Sequence, residues 1–123
     1  MCDVTLSSLG HTWIFDIDGT ICVHNGYKIY GKDRLLPGVA EFFRNLSADD
    51  VVVLITSRSD EFKEITEEFL LENNIRYHAI IYNAPYGERI LVNDRKPSGL
   101  ETSIACSLKR DHFDLAYTID PGK

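Results

Sequence analysis

Two carboxylates stand two residues apart in the stretch Trp13-Ile14-Phe15-Asp16-Ile17-Asp18-Gly19-Thr20, just after an apolar run and just before a glycine. Alternate side chains of an extended strand share a face, so Asp16 and Asp18 can converge at the strand's end, and Gly19 lets the backbone turn there. Such a pair can ligate a hard divalent cation through oxygen, and it can divide nucleophilic and acid/base work between two groups. Asp-x-Asp-Gly is also an ordinary turn composition, so the pair gains meaning from its company. Thr56-Ser57-Arg58 and Asn93-Asp94-Arg95-Lys96 each follow another apolar run. The Thr56 hydroxyl and the N–H groups of a helix start after it are donors suited to an anion. Arg58 can grip a phosphate with two N–H groups. Asp94 offers a carboxylate to a cation, and Asn93 an amide oxygen.

These clusters need elements that bring them to one place. Thr12 to Phe15 reads as a short buried strand. Val51-Val52-Val53-Leu54-Ile55 is an unbroken β-favouring run, the pattern of a parallel strand covered on both faces. Ala79 to Tyr82 and Ile90 to Val92 are two more such runs, separated by a Pro-Tyr-Gly turn at 85 to 87, and Ser103 to Leu108 is a further strand candidate. Between the first two strands, residues 21 to 36 form a loop or small hairpin. A helix then opens at Pro37-Gly38 with Val39, Phe42, Phe43 and Leu46 on its buried face. Ser59 or Asp60 caps a second helix, whose Phe62, Ile65, Phe69 and Leu70 share a face and which ends at Asn73-Asn74. The tail after Asp111 has no clear pattern. Strands alternating with amphipathic helices predict right-handed crossovers, a mainly parallel Rossmann-like sheet and a three-layer α/β sandwich. In such sheets ligands sit beyond the carboxyl ends of the strands, so the three clusters are expected to converge.

With 123 residues, 44% apolar and 26% charged, the chain is expected to be one globular domain over residues 1–123. The net charge of -6 argues against broad affinity for nucleic acid or an anionic membrane, while leaving room for a local basic patch at a site. Cys2, Cys22 and Cys106 show neither metal-ligand nor disulfide-framework spacing, so reduced thiols in a cytoplasmic protein are expected, with Cys22 as a small apolar filler. No membrane span or secretory leader is seen. His11, His78 and His112 lack metal-ligand spacing and read as structural or solvated.

The stretch from Trp13 to Thr20 resembles the first motif of the haloacid dehalogenase-like (HAD) phosphotransferase superfamily, in which the first Asp attacks phosphorus and the second is the general acid/base. Thr56 matches the hydroxyl of the second motif. Asn93-Asp94 matches the acidic fourth motif, in an Asn-Asp form rather than the commoner Asp-Asp. The lysine of the third motif, often a Lys-Pro just before the last, is missing, because Ala84-Pro85 stands there. Arg58, Arg89 and Lys96 are the substitutes. Lys96 is preferred because it shares a strand-end loop with Asp94, whereas Arg89 would enter that strand from its opposite end.

The resemblance spans about residues 12 to 97, and it is closest to small capless phosphatases, including those of polysaccharide-biosynthesis loci and the phosphatase half of polynucleotide kinase-phosphatases. It implies a HAD-type sheet without a separate cap and a magnesium-dependent phosphomonoester hydrolase working through an aspartyl-phosphate. The implied catalytic residues are Asp16 and Asp18. Thr56, Ser57, Arg58 and Lys96 would bind phosphate, and Asp16, Asp18, Asn93 and Asp94 would hold Mg2+. A sugar phosphate or other small phosphometabolite is the expected substrate, with His24 and Tyr27 in contact with it. Acidic charge makes nucleic acid the less favoured partner, so a nucleic-acid end phosphatase is the alternative, beside a non-catalytic phosphate-binding or regulatory domain.

Overall fold

A computed structural model describes all 123 residues. Three parallel strands form the sheet that carries the site: β2 (Thr12–Asp16), β3 (Val51–Ile55) and β4 (Ala79–Ile81), in that spatial order. Asp16 lies opposite Ile55, and Ile55 opposite Ile81, so the three carboxyl ends share one edge as expected. A second parallel pair joins β1 (Cys2–Leu6) to β5 (Leu115–Ile119), near the two ends of the chain. The result is a small Rossmann-like α/β fold with its strands divided between two sheets rather than gathered in one.

The helices are few: α1 (Gly26–Ile29), α2 (Val39–Asn45) and α3 (Lys63–Glu72), the last preceded by a 3-10 turn at Asp60–Phe62. Between Thr20 and β3 there is no cap domain, only loop, α1 and α2. The expected face of α2 is present, with Val39 and Phe43 buried, Leu46 buried just past its end, and Phe42 in an aromatic cluster. On α3, Thr66 rather than Ile65 joins Phe69 and Leu70 in the interior, where its hydroxyl accepts from Arg58. Burial along β3 alternates, with Val52 and Leu54 fully buried and Val51 exposed, so this strand is covered fully on one face only.

Neither Ile90–Val92 nor Ser103–Leu108 forms a strand. Val92 is 88% exposed and no backbone partner lies beside it, and β propensity without a partner strand does not make a strand. The tail has more structure than its sequence suggests. Phe113 and Tyr117 pack on Phe42, and Tyr117 also on Trp13, joining the second sheet to the first through aromatic edge and tilted contacts. Cys2 and Cys106 form a disulfide across 104 residues of sequence, correcting the expectation of three reduced thiols. The pairing follows from the return of the chain's end to β1, which spacing along the sequence does not reveal. Cys22 is free and fully buried. No helix is long and apolar enough to cross a membrane.

Candidate active site

Beyond the carboxyl end of β2 the chain turns tightly. The N–H groups of Thr20, Ile21 and Cys22 all donate to the Ile17 carbonyl, and Gly19 takes a positive φ of 82° that side chains disfavour. Asp16 and Asp18 thereby reach one open cavity of about 460 Å³, as their spacing predicts. The cavity is also lined by Ser57 and Arg58 from the end of β3, by His24, Asn25, Tyr27 and Lys28 from the loop and α1, by Tyr86 and Arg89 from the segment after β4, and by Arg110.

Asp16 is the more accessible acid, with 40% of its side chain exposed. The Thr20 hydroxyl donates to it at 3.4 Å, and Arg89 Nη2 stands 3.7 Å from its other oxygen. Burial pushes its carboxyl above the usual range, and the Arg89 guanidinium partly offsets that shift. Asp18 is held differently. Arg58 donates from Nε to one oxygen and from Nη2 to the other, both at 2.9 Å.

Arg58 itself is 2% exposed in its side chain. Besides Asp18 it grips Asp33, through Nη1 at 3.0 Å and Nη2 at 2.7 Å, and its Nη1 also donates to the Thr66 hydroxyl at 2.8 Å. A guanidinium has five N–H donors, and these contacts engage all five. Where a phosphate grip is expected of Arg58, its donors bind two carboxylates and a hydroxyl of its own chain. Burial and this pairing act oppositely on the guanidinium, and the two carboxylates prevail, raising its pKa further. Tyr27 covers its face with a ring centroid 4.2 Å away.

Thr56 is likewise buried, at 1% exposure, and its hydroxyl accepts the Arg58 N–H at 3.1 Å. It caps the strand end and does not line the cavity, whereas Ser57 and Arg58 do. Asn93, Asp94 and Lys96 do not line the cavity. The Asn93 amide donates to Thr102, the Thr102 hydroxyl bonds the Asp94 carbonyl, and Lys96 closes a turn with Gly99 and Leu100. Without a strand at Ile90–Val92 nothing carries them to the shared edge. Arg89, ranked below Lys96 from sequence, is the cation that reaches Asp16. His24 and Tyr27 both line the cavity. His11 and His78 are structural: His11 caps the Ser7 carbonyl, and His78 Nδ1 accepts from the Val52 N–H.

Several residues here went unread in the sequence. Asp33 and Thr66, which with Asp18 complete the Arg58 hub, sit in stretches without motif character. Arg110 Cγ lies 3.2 Å from the position a Gly19 Cβ would take, while the Asp111 N–H donates to the Gly19 carbonyl and its carboxylate accepts the His24 N–H at 2.7 Å. Only the folded tail makes that contact. With Arg58 paired to Asp18 and Asp33, Lys28, Arg89 and Arg110 line the same cavity as Asp16, so the cavity is locally basic on a chain of net charge -6.

Two sets of donors bear on a metal. Asp18, Cys22 and Asp33 each offer one ligand atom, all within 4.8 Å of one another. The Arg58 guanidinium already occupies that cluster, and burial, followed by the neighbouring Asp33 and Asp18, pushes the Cys22 thiol far above its ordinary value, so its sulfur keeps the proton. Magnesium prefers oxygen and commonly takes one or two carboxylates with water and substrate phosphate. Asp16, accessible and oxygen-bearing, fits that chemistry better than the buried cluster.

No family model matches the chain, and no curated protein matches it. Two solved structures do. The chain is similar to one in the structure of the Pnkp1/Rnl/Hen1 complex, with a TM-score of 0.52 and 27% identity over 68% of this chain and 31% of that one. It is equally similar to one in the Pnkp1/Rnl/Hen1 RNA repair complex, with a TM-score of 0.52 and 28% identity over 67% of this chain and 28% of the other. This chain thus spans less than a third of either neighbour.

Proposed function

We propose that this chain is a magnesium-dependent phosphohydrolase of HAD type that removes a terminal phosphate from a polynucleotide. The observation that carries the reading is the meeting of an accessible Asp16, at the carboxyl edge of β2, with Lys28, Arg89 and Arg110 in one open cavity. Similarity to chains of an RNA repair complex favours a nucleic-acid end over the sugar phosphate preferred from net charge. A basic cavity attracts a polyanion whatever the sign of the whole chain, because screening limits each surface charge to its neighbourhood.

In this reading Asp16 attacks phosphorus in line, the ester P–O bond breaks, and the phosphoryl group passes to the Asp16 carboxylate. Water then attacks that phosphorus and releases inorganic phosphate and free Asp16. Arg89 neutralises charge between carboxylate and phosphate, and Ser57 with Arg110 supplies further donors. Asp18 serves as acid and base only by freeing an oxygen from the Arg58 fork. Asp16 and the main-chain carbonyl of Asp18 would hold magnesium, which would supply positive charge against the incoming phosphate.

The test compares phosphate release from 3′- and 5′-phosphorylated oligonucleotides with release from a panel of sugar phosphates, with magnesium and with EDTA, for the chain and its Asp16→Asn variant. Magnesium-dependent release from an oligonucleotide end, lost in Asp16→Asn with circular dichroism unchanged, is expected. Turnover of sugar phosphates alone would return the substrate to a small metabolite, and binding of phosphorylated ligands without turnover would make this a non-catalytic domain.

A further inference from the structure

Two tyrosine rings line the cavity and are differently employed. Tyr27 is packed, with the Arg58 guanidinium on its face and Phe62 at 5.0 Å. Tyr86 is 91% exposed and packs against no other ring, yet it lines the same cavity as Arg89, the cation that reaches Asp16. An exposed tyrosine on an untethered loop would mean little. This segment is tethered where it matters: the Asn83 N–H donates to the Arg58 carbonyl at 2.8 Å, the Ala84 N–H to the Thr56 carbonyl at 3.0 Å, and the Tyr82 hydroxyl to Glu67 at 3.0 Å. Pro85 then fixes φ immediately before Tyr86. The ring is thus carried by the strand-end segment that itself forms the cavity wall.

A rigid flat ring left in water beside cations is suited to stack a nucleobase, and stacking tolerates any base because all have a π face. We propose that Tyr86 is the stacking platform for the nucleobase adjacent to the phosphate removed at Asp16, so that the site requires a base there without reading its identity. This assignment rests on the polynucleotide phosphatase reading above.

The experiment measures kcat and KM for a phosphorylated oligonucleotide, for the same oligonucleotide with an abasic terminal nucleotide, and for versions differing in the terminal base. The abasic end should raise KM by about five- to a hundred-fold with kcat little changed, while exchange of one base for another has a small effect. Tyr86→Ala should abolish the preference for a base over an abasic end, and Tyr86→Phe, which keeps the ring, should retain it. Oligonucleotide turnover in which the chain treats both ends alike, or in which Tyr86→Ala keeps the full preference, overturns the stacking assignment and leaves the phosphatase reading standing. Absence of oligonucleotide turnover beside active sugar-phosphate hydrolysis removes both.

Discussion

Arg58 and Asp18, separated by 40 residues of sequence, meet as a two-pronged ion pair with both N···O distances at 2.9 Å. The pair is one arm of a hub in which the same guanidinium holds the buried Asp33. Every donor of the guanidinium meets an acceptor, which offsets the cost of bringing two carboxylates together. The hub also fixes where Asp18 points at the cavity.

Removal of one member of a buried ion pair leaves the other charges uncompensated and typically costs about 3–5 kcal/mol. Arg58→Met should therefore lose about that much stability in urea unfolding, and Arg58→Lys should recover little, because a point charge cannot fork onto two carboxylates. Adding Asp33→Asn to Arg58→Met should restore part of the loss. A loss near zero for Arg58→Met would show that the hub contributes nothing to folding.

Asp50 supplies a prediction on acid stability far from the site. Its buried carboxylate accepts from the Trp13 indole at 2.9 Å and the His11 backbone N–H at 3.0 Å. Burial raises its pKa, but the Trp13 and His11 contacts outweigh burial and leave it below the ordinary value. A carboxyl lowered in the folded state stabilises above its unfolded pKa, and that stabilisation disappears as pH falls through the folded value. Asp50→Asn should cost about 1–3 kcal/mol near neutrality, where it loses a charged acceptor. Urea midpoints of the two proteins should converge as the pH is lowered from the unfolded carboxylate range toward the lowered folded value. A gap that widens on acidification contradicts the assignment.

The parts of this protein that could be read in advance are those whose signal is local. β3 and the Thr12–Phe15 part of β2 are unbroken runs of β-favouring residues, and α2 repeats its apolar side chains at helical spacing. What stayed hidden depends on partners. β1 and β5 pair only with each other from near opposite ends of the chain, so neither carries a local sign of its neighbour. Ile90–Val92 has the composition of a strand but no strand beside it, and the three residues expected to follow it into the site stay outside the cavity. Arg58 stands where an anion-binding arginine would, and nothing nearby in sequence announces Asp33. Net charge is an average over the chain, so it carries no sign of Lys28, Arg89 and Arg110 lining one cavity with Asp16.

Gly19 joins the motif turn to the folded tail. At φ +82° an alanine sits in the left-handed region, at a cost of about 1–2 kcal/mol. Its Cβ would also press on Arg110 Cγ at 3.2 Å, a contact the flexible side chain relieves by shifting. Gly19→Ala should thus lower stability by about that amount and raise KM for the phosphorylated substrate through a displaced Arg110. Unchanged stability and kinetics would show that neither the turn nor the tail constrains this position.

Arg89 and Lys96 separate two accounts of which cation serves the phosphate. Arg89 lines the cavity 3.7 Å from Asp16, whereas Lys96 lies outside it in an exposed turn. Loss of one preorganised group that stabilises developing charge costs about 10²–10³ in rate. For Arg89 the lower end applies, because its guanidinium is more than a third exposed and water screens part of its field. Arg89→Ala should reduce kcat/KM about a hundredfold, and Lys96→Ala should leave it within about twofold, as expected for a surface charge outside the cavity. The opposite ranking would mean that the segment after Arg89 moves in the presence of substrate to bring Lys96, and with it Asp94, to Asp16.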